Sequence, residues 1–80
     1  MADRKTPENF ADIVNLWPSA EVLAGKIAEK GVTVRQWRNR DFIPIEYWGR
    51  IVSEAAEIGR DDVTLELLAR LGIQRKESAA

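Results

Sequence analysis

The sequence predicts an all-α domain of about five short helices, and three observations carry that expectation. Apolar residues recur at i, i+3, i+4 and i+7 in one segment after another. Few segments alternate apolar and polar residues as a half-buried strand does, and a proline or a short polar residue of the N-cap type opens most of the periodic stretches. The chain has 80 residues, 45% apolar and 31% charged, which supplies one small core and not two.

The elements follow in order. Thr6 and Pro7 read as N-cap and first residue of a helix with apolar positions Phe10, Ile13, Val14 and Trp17, ending at Pro18. Ser19 caps the second helix, Glu21 favours its positive end, and Leu23, Ala24, Ile27 and Ala28 form a narrow apolar stripe that Gly31 interrupts. A short third helix runs through Thr33, Val34 and Trp37 to about Asn39. After the loop RDFIP, Pro44 opens a fourth helix that buries Trp48, Ile51, Val52 and Ala55. Gly59 and the acidic RDD make the next break, Thr64 caps a fifth helix carrying Leu65, Leu68 and Leu71, and Gly72 ends it. Residues 1–5 are expected to be a disordered N-terminus, 6–73 the folded domain, and 74–80 a disordered tail.

Composition removes several classes of function. Cysteine and histidine are both absent, so disulfides, thiolate or imidazole zinc sites, and Ser-His or Cys-His nucleophiles are unavailable. An enzyme is not expected, nor is a cofactor. Glu57, Asp61 and Asp62 precede a helix, where acids favour the dipole, and lack the ordered spacing of a calcium loop. The longest apolar runs are three residues, such as Val22-Leu23-Ala24, far below the roughly 18 a membrane span needs, so a cytoplasmic protein is expected.

Charge is balanced in total and uneven along the chain. Twelve Lys and Arg stand against thirteen Asp and Glu. Residues 30 to 40 hold Lys30, Arg35, Arg38 and Arg40 with no acid, whereas residues 53 to 66 hold Glu54, Glu57, Asp61, Asp62 and Glu66 against Arg60 alone. One basic face and one acidic end are implied.

The second helix, a tight turn and the third helix form the sharpest constellation. A helix-turn-helix needs a small residue where the helices cross, here Ala24, and apolar residues that pin them, here Leu23, Ile27, Val34 and Trp37. Arg35, Gln36, Arg38, Asn39 and Arg40 are left to face outward. These are side-chain types that read DNA, Arg pairing with guanine and Gln and Asn with adenine, and all bond phosphate.

The stretch VTVRQWRNRDFIPIEYW, Val32 to Trp48, resembles the Cro and lambda-repressor-like (XRE-type) helix-turn-helix proteins of bacteria and phages. It is most similar to a subset whose recognition helix ends in W-R-x-R and runs through a short loop into I-P-x-x-Y/W. At lower specificity the resemblance covers residues 9 to 72. It implies a lambda-repressor-like fold with the third helix in the major groove, inward positions at Ala24, Ile27, Val34 and Trp37, and base-reading positions at Val32, Arg35, Gln36 and Asn39. Phosphate contacts are expected from Lys30, Thr33, Arg38 and Arg40, and at the rim from Tyr47 and Arg50. The family's turn usually carries Gly followed by an apolar residue, whereas Ala28 and Glu29 stand there in this chain.

The expected function is that of a sequence-specific regulator of transcription, a nucleoid-associated repressor that occludes a promoter on double-stranded DNA. The expected assembly is a homodimer, or a heterodimer with a related helix-turn-helix protein, with Leu65, Leu68 and Leu71 as the contact. The alternative is an antitoxin or adaptor that uses the same fold for protein contact.

Overall fold

The computed structural model describes residues 6–79, with side chains as far as Lys76. Among these residues there are five α-helices, α1 (Phe10–Val14), α2 (Ala20–Lys26), α3 (Gly31–Arg40), α4 (Trp48–Glu57) and α5 (Leu65–Ala79), with one 3-10 turn (Ile45–Tyr47) leading into α4 and no strand. Helix α3 packs against both α1 and α2, and α5 against α4. No helix among the described residues is long and apolar enough to cross a membrane.

Short polar side chains set three of the starts. Ser19 accepts the Val22 N–H at 3.1 Å and Thr64 the Leu67 N–H at 3.0 Å, as the sequence predicts for α2 and α5. The first helix differs from its expectation. Its cap is Asn9, which accepts the Asp12 N–H at 2.7 Å, and the helix stops at Val14. Pro18 biases the preceding residue away from helical geometry, so Leu16 and Trp17 reach the core through tighter bonds to the carbonyls of Ile13 and Val14.

Three helices end in the same way, with a left-handed residue followed by an N–H that reaches back five residues. Ala28, Asp41 and Gly59 have φ of 57°, 57° and 77°, and the N–H groups of Glu29, Phe42 and Arg60 bond the carbonyls of Ala24, Trp37 and Ala55 at 2.8, 3.0 and 2.8 Å. Only the last of the three is glycine. Gly31, expected to interrupt the second helix, instead opens α3, because the chain has already turned at Ala28.

The core gathers Phe10, Ile13, Leu23, Val34, Ile51 and Leu68, each at most 1% exposed. Phe10 meets Phe42 edge-on at 5.5 Å and stacks on Trp48 at 6.1 Å, while the Trp48 indole N–H donates to the buried Ile43 carbonyl at 2.7 Å. Helix α5 does not end at Gly72 and continues to Ala79. Gly72 lies over the Trp48 indole, where a Cβ would come within ordinary contact distance of the ring, 3.7 Å. Beyond it, Arg75 donates to the carbonyls of Asp41 at 3.0 Å and Arg40 at 3.3 Å and lies over the Phe42 ring, which holds residues 74–76 where a frayed tail was expected. Residues 1–5 and residue 80, expected to be disordered, lie outside the described residues.

Candidate nucleic-acid interface

An α-helix advances by about 100° per residue, so Val34 and Trp37 define one side of α3 and fix what lies opposite. Both are buried, at 0% and 6% exposure. The opposite side consists of Val32, Arg35, Gln36 and Asn39, all exposed, with Val32 at 49%. Arg40 is exposed beside them, and Thr33 and Arg38 are half-buried at the flanks. Lys30 is exposed at the N-cap of α3, where it makes no side-chain cap bond. The four residues expected to read bases therefore share the outer face, and four of the six expected on phosphate, Lys30, Thr33, Arg38 and Arg40, border it.

Tyr47 and Arg50 stand apart from that face and brace the turn between α2 and α3. The Tyr47 hydroxyl donates to Glu29 at 2.7 Å, and its ring packs on Trp37 with centroids 4.6 Å apart. Arg50 donates to the Ile27 carbonyl at 3.2 Å and lies 5.8 Å over the Tyr47 ring. Glu29 also accepts its neighbour's N–H, that of Lys30, at 3.2 Å. The Tyr47 hydroxyl and then the Lys30 N–H hold the Glu29 carboxyl below the usual carboxylate range against desolvation, with lesser help from the charges of Arg50 and Lys30. The same hydrogen bond, with desolvation and the charges of Glu29 and Glu46, pushes the Tyr47 hydroxyl above the usual phenol range despite Arg50.

Two acids lie close to this basic helix, one on its outer face and one beside its N-cap. Glu21 forms an ion pair with Arg35 across the turn, with the two side chains 52% and 47% exposed. Gly31 makes room for it, since a Cβ there would meet the Glu21 Cγ at 2.9 Å. Glu29 is the second acid. Residues 30 to 40 contain no acid, but the turn folds these two carboxylates against them, which weakens the unopposed basic field expected from the linear count. Glu21 and Arg35 are fourteen residues apart, beyond any helical spacing rule, so only the crossing of α2 and α3 reveals their contact.

The contact expected on the last helix changes in composition. Leu68 and Leu71 are 0% and 4% exposed, because they close the core of the single chain, and neither is available to a partner. Leu65 remains exposed at 55%, and Leu67 is buried at 4%. The outer side of α5 is an i, i+4, i+8 row of Leu65, Ala69 and Ile73, the last at 61% exposure. Comparison with protein-family models, with curated proteins and with solved structures finds no match for this chain.

Proposed function

We propose that the protein binds double-stranded DNA with sequence preference through α3 and regulates transcription by occluding a promoter. The observation that carries this reading is the composition of one face: Val32, Arg35, Gln36 and Asn39 lie opposite the buried Val34 and Trp37 and are bordered by Lys30, Arg38 and Arg40. A helix presenting Arg, Gln and Asn outward offers the donors and acceptors that distinguish base pairs in the major groove. The bordering cations hold the phosphates and set the register. The resemblance of Val32 to Trp48 to lambda-repressor-like proteins supports the same docking, with α3 as the inserted helix.

A second copy completes the reading. One short helix discriminates only a few base pairs, and the exposed row Leu65, Ala69 and Ile73 is a surface on which two copies pack about a two-fold axis. Two α3 helices on one side of the duplex then stand about 34 Å apart, over an inverted repeat with half-sites one helical turn apart. The adaptor reading shares the α5 row and differs in needing no nucleic acid.

The test is selection of bound duplexes from a random pool, followed by titration of a selected site across salt concentrations. Each phosphate contact steepens the log-log salt slope by about 0.9, so a slope of several units is expected. Affinity that stays flat with salt, or a pool that never enriches, overturns the reading in favour of the adaptor.

A further inference from the structure

We infer that Glu21 is a positioning residue that sets sequence discrimination by holding one nitrogen of the Arg35 guanidinium while the others meet a base edge. The inference rests on the DNA-binding reading above and deepens it at one side chain. Arg35 lies on the outer face of α3, yet its guanidinium is already engaged by the Glu21 carboxylate of α2. The arrangement is built on both sides of the turn: Ser19 starts α2 so that Glu21 falls in its first turn, and Gly31 leaves the space that the Glu21 side chain fills.

The consequence follows from comparing three partners for one guanidinium. An exposed ion pair is weak, of the same order as one screened phosphate contact, whereas a guanine edge offers two in-plane acceptors and is stronger than either. Glu21 engages Nη1 of Arg35, which leaves Nε and Nη2 to form the bidentate guanine pair with the ion pair kept, whereas swinging onto a lone phosphate means breaking it. Glu21 thus withholds Arg35 from the phosphates of non-specific duplex and holds it oriented for the matching base pair. It also places one negative charge beside the phosphates, a separate effect that does not pass through Arg35.

The experiment uses the full chain, a selected duplex and a scrambled duplex of equal length, with Glu21→Gln, Arg35→Ala and the double variant. Glu21→Gln should raise affinity for the scrambled duplex by up to about fivefold, the scale of an exposed ion pair, and steepen its salt slope by about 0.9. The ratio of selected to scrambled affinity should fall, and the effect should vanish when Arg35 is already Ala. Gly31→Ala, which displaces the carboxylate without removing its charge, should shift the ratio in the same direction and covers the case in which Glu21→Gln folds poorly. An unchanged ratio overturns the inference, and so does a Glu21→Gln effect that persists in the Arg35→Ala background, since that is charge repulsion alone. If the unaltered protein shows no salt-sensitive duplex binding, the DNA reading itself has failed and this inference falls with it.

Discussion

The Tyr47 hydroxyl donates a 2.7 Å hydrogen bond to the Glu29 carboxylate and so joins the 3-10 turn before α4 to the turn that launches α3. With the Tyr47 ring on Trp37 and Arg50 on the Ile27 carbonyl, the start of α3 is held from outside the helix pair as well as from within it. These contacts fix the orientation of the start of α3 relative to α4.

The bond makes stability depend on pH at both ends of the scale. Glu29 titrates below its ordinary value, so its contribution is present above the unfolded carboxylate pKa and is lost as pH falls through the lowered one. Tyr47 titrates above its ordinary value, so its contribution is present below the unfolded phenol pKa, about 10, and is lost as pH rises through the raised one. Tyr47→Phe should therefore unfold at lower urea than the parent near neutrality, with the gap shrinking toward both extremes. A gap that stays constant with pH assigns the loss to ring packing instead.

Ala28 is the clearest site for stabilisation. Its left-handed φ of 57° costs a non-glycine residue roughly 1–2 kcal/mol, while glycine adds roughly 0.4–1 kcal/mol of unfolded-state entropy. Ala28→Gly should gain about 0.5–1 kcal/mol in urea unfolding. Asp41 has the same φ, but its carboxylate accepts the Ala11 N–H of α1 at 3.0 Å, so Asp41→Gly should end less stable than Ala28→Gly. Equal gains at the two sites mean that the Asp41 bond contributes nothing.

Two tryptophans with opposite hydrogen bonding give a matched pair. Trp48 Nε1 donates to the buried Ile43 carbonyl, whereas Trp17 Nε1 is buried with no acceptor among the described residues. Trp48→Phe strands an acceptor at a cost of about 1–3 kcal/mol beyond the lost volume, and Trp17→Phe removes an unpaired donor. Denaturation midpoints should order parent, then Trp17→Phe, then Trp48→Phe. The reverse order for the two variants places the value of these indoles in their packing.

On DNA, the outer face and its border should separate by kind of loss. Arg35→Ala and Gln36→Ala are expected to relax preference at individual base pairs by roughly 1–3 kcal/mol each. Arg38→Ala and Arg40→Ala should weaken all duplexes alike and lower the salt slope by about 0.9 each. Selection from a random pool with each variant reads the first effect, and salt titration the second. Uniform loss from all four reduces Arg35 and Gln36 to phosphate contacts.

Sedimentation decides the role of the outer row of α5. Ile73→Glu should convert a dimer to a monomer at micromolar concentration with its thermal midpoint nearly unchanged, because Ile73 is 61% exposed in the single chain. A parent protein that already sediments as a monomer and selects asymmetric sites has no two-fold contact there.

Helix content, the caps at Ser19 and Thr64, the break at Gly59 and the inward turn of Val34 and Trp37 are all legible in the primary structure. Each depends on periodicity or capping within a few residues, and local chemistry settles such features whatever the rest of the chain does. The outer face of α3 follows by elimination once its inner face is known. The Arg35 partner does not, nor does the bracing of the turn by Tyr47 and Arg50, because those contacts join residues 14 to 23 positions apart and exist only after helices cross. Helix α5 shows the same division. Periodicity marks Leu65, Leu68 and Leu71 as apolar positions, but only packing decides that Leu68 and Leu71 close the core, that Leu65 stays outside with Ile73, and that Arg75 carries the helix beyond Gly72 by binding the end of α3. An amphipathic pattern specifies which residues seek burial; which of them obtain it depends on the surfaces that the other helices bring to meet them.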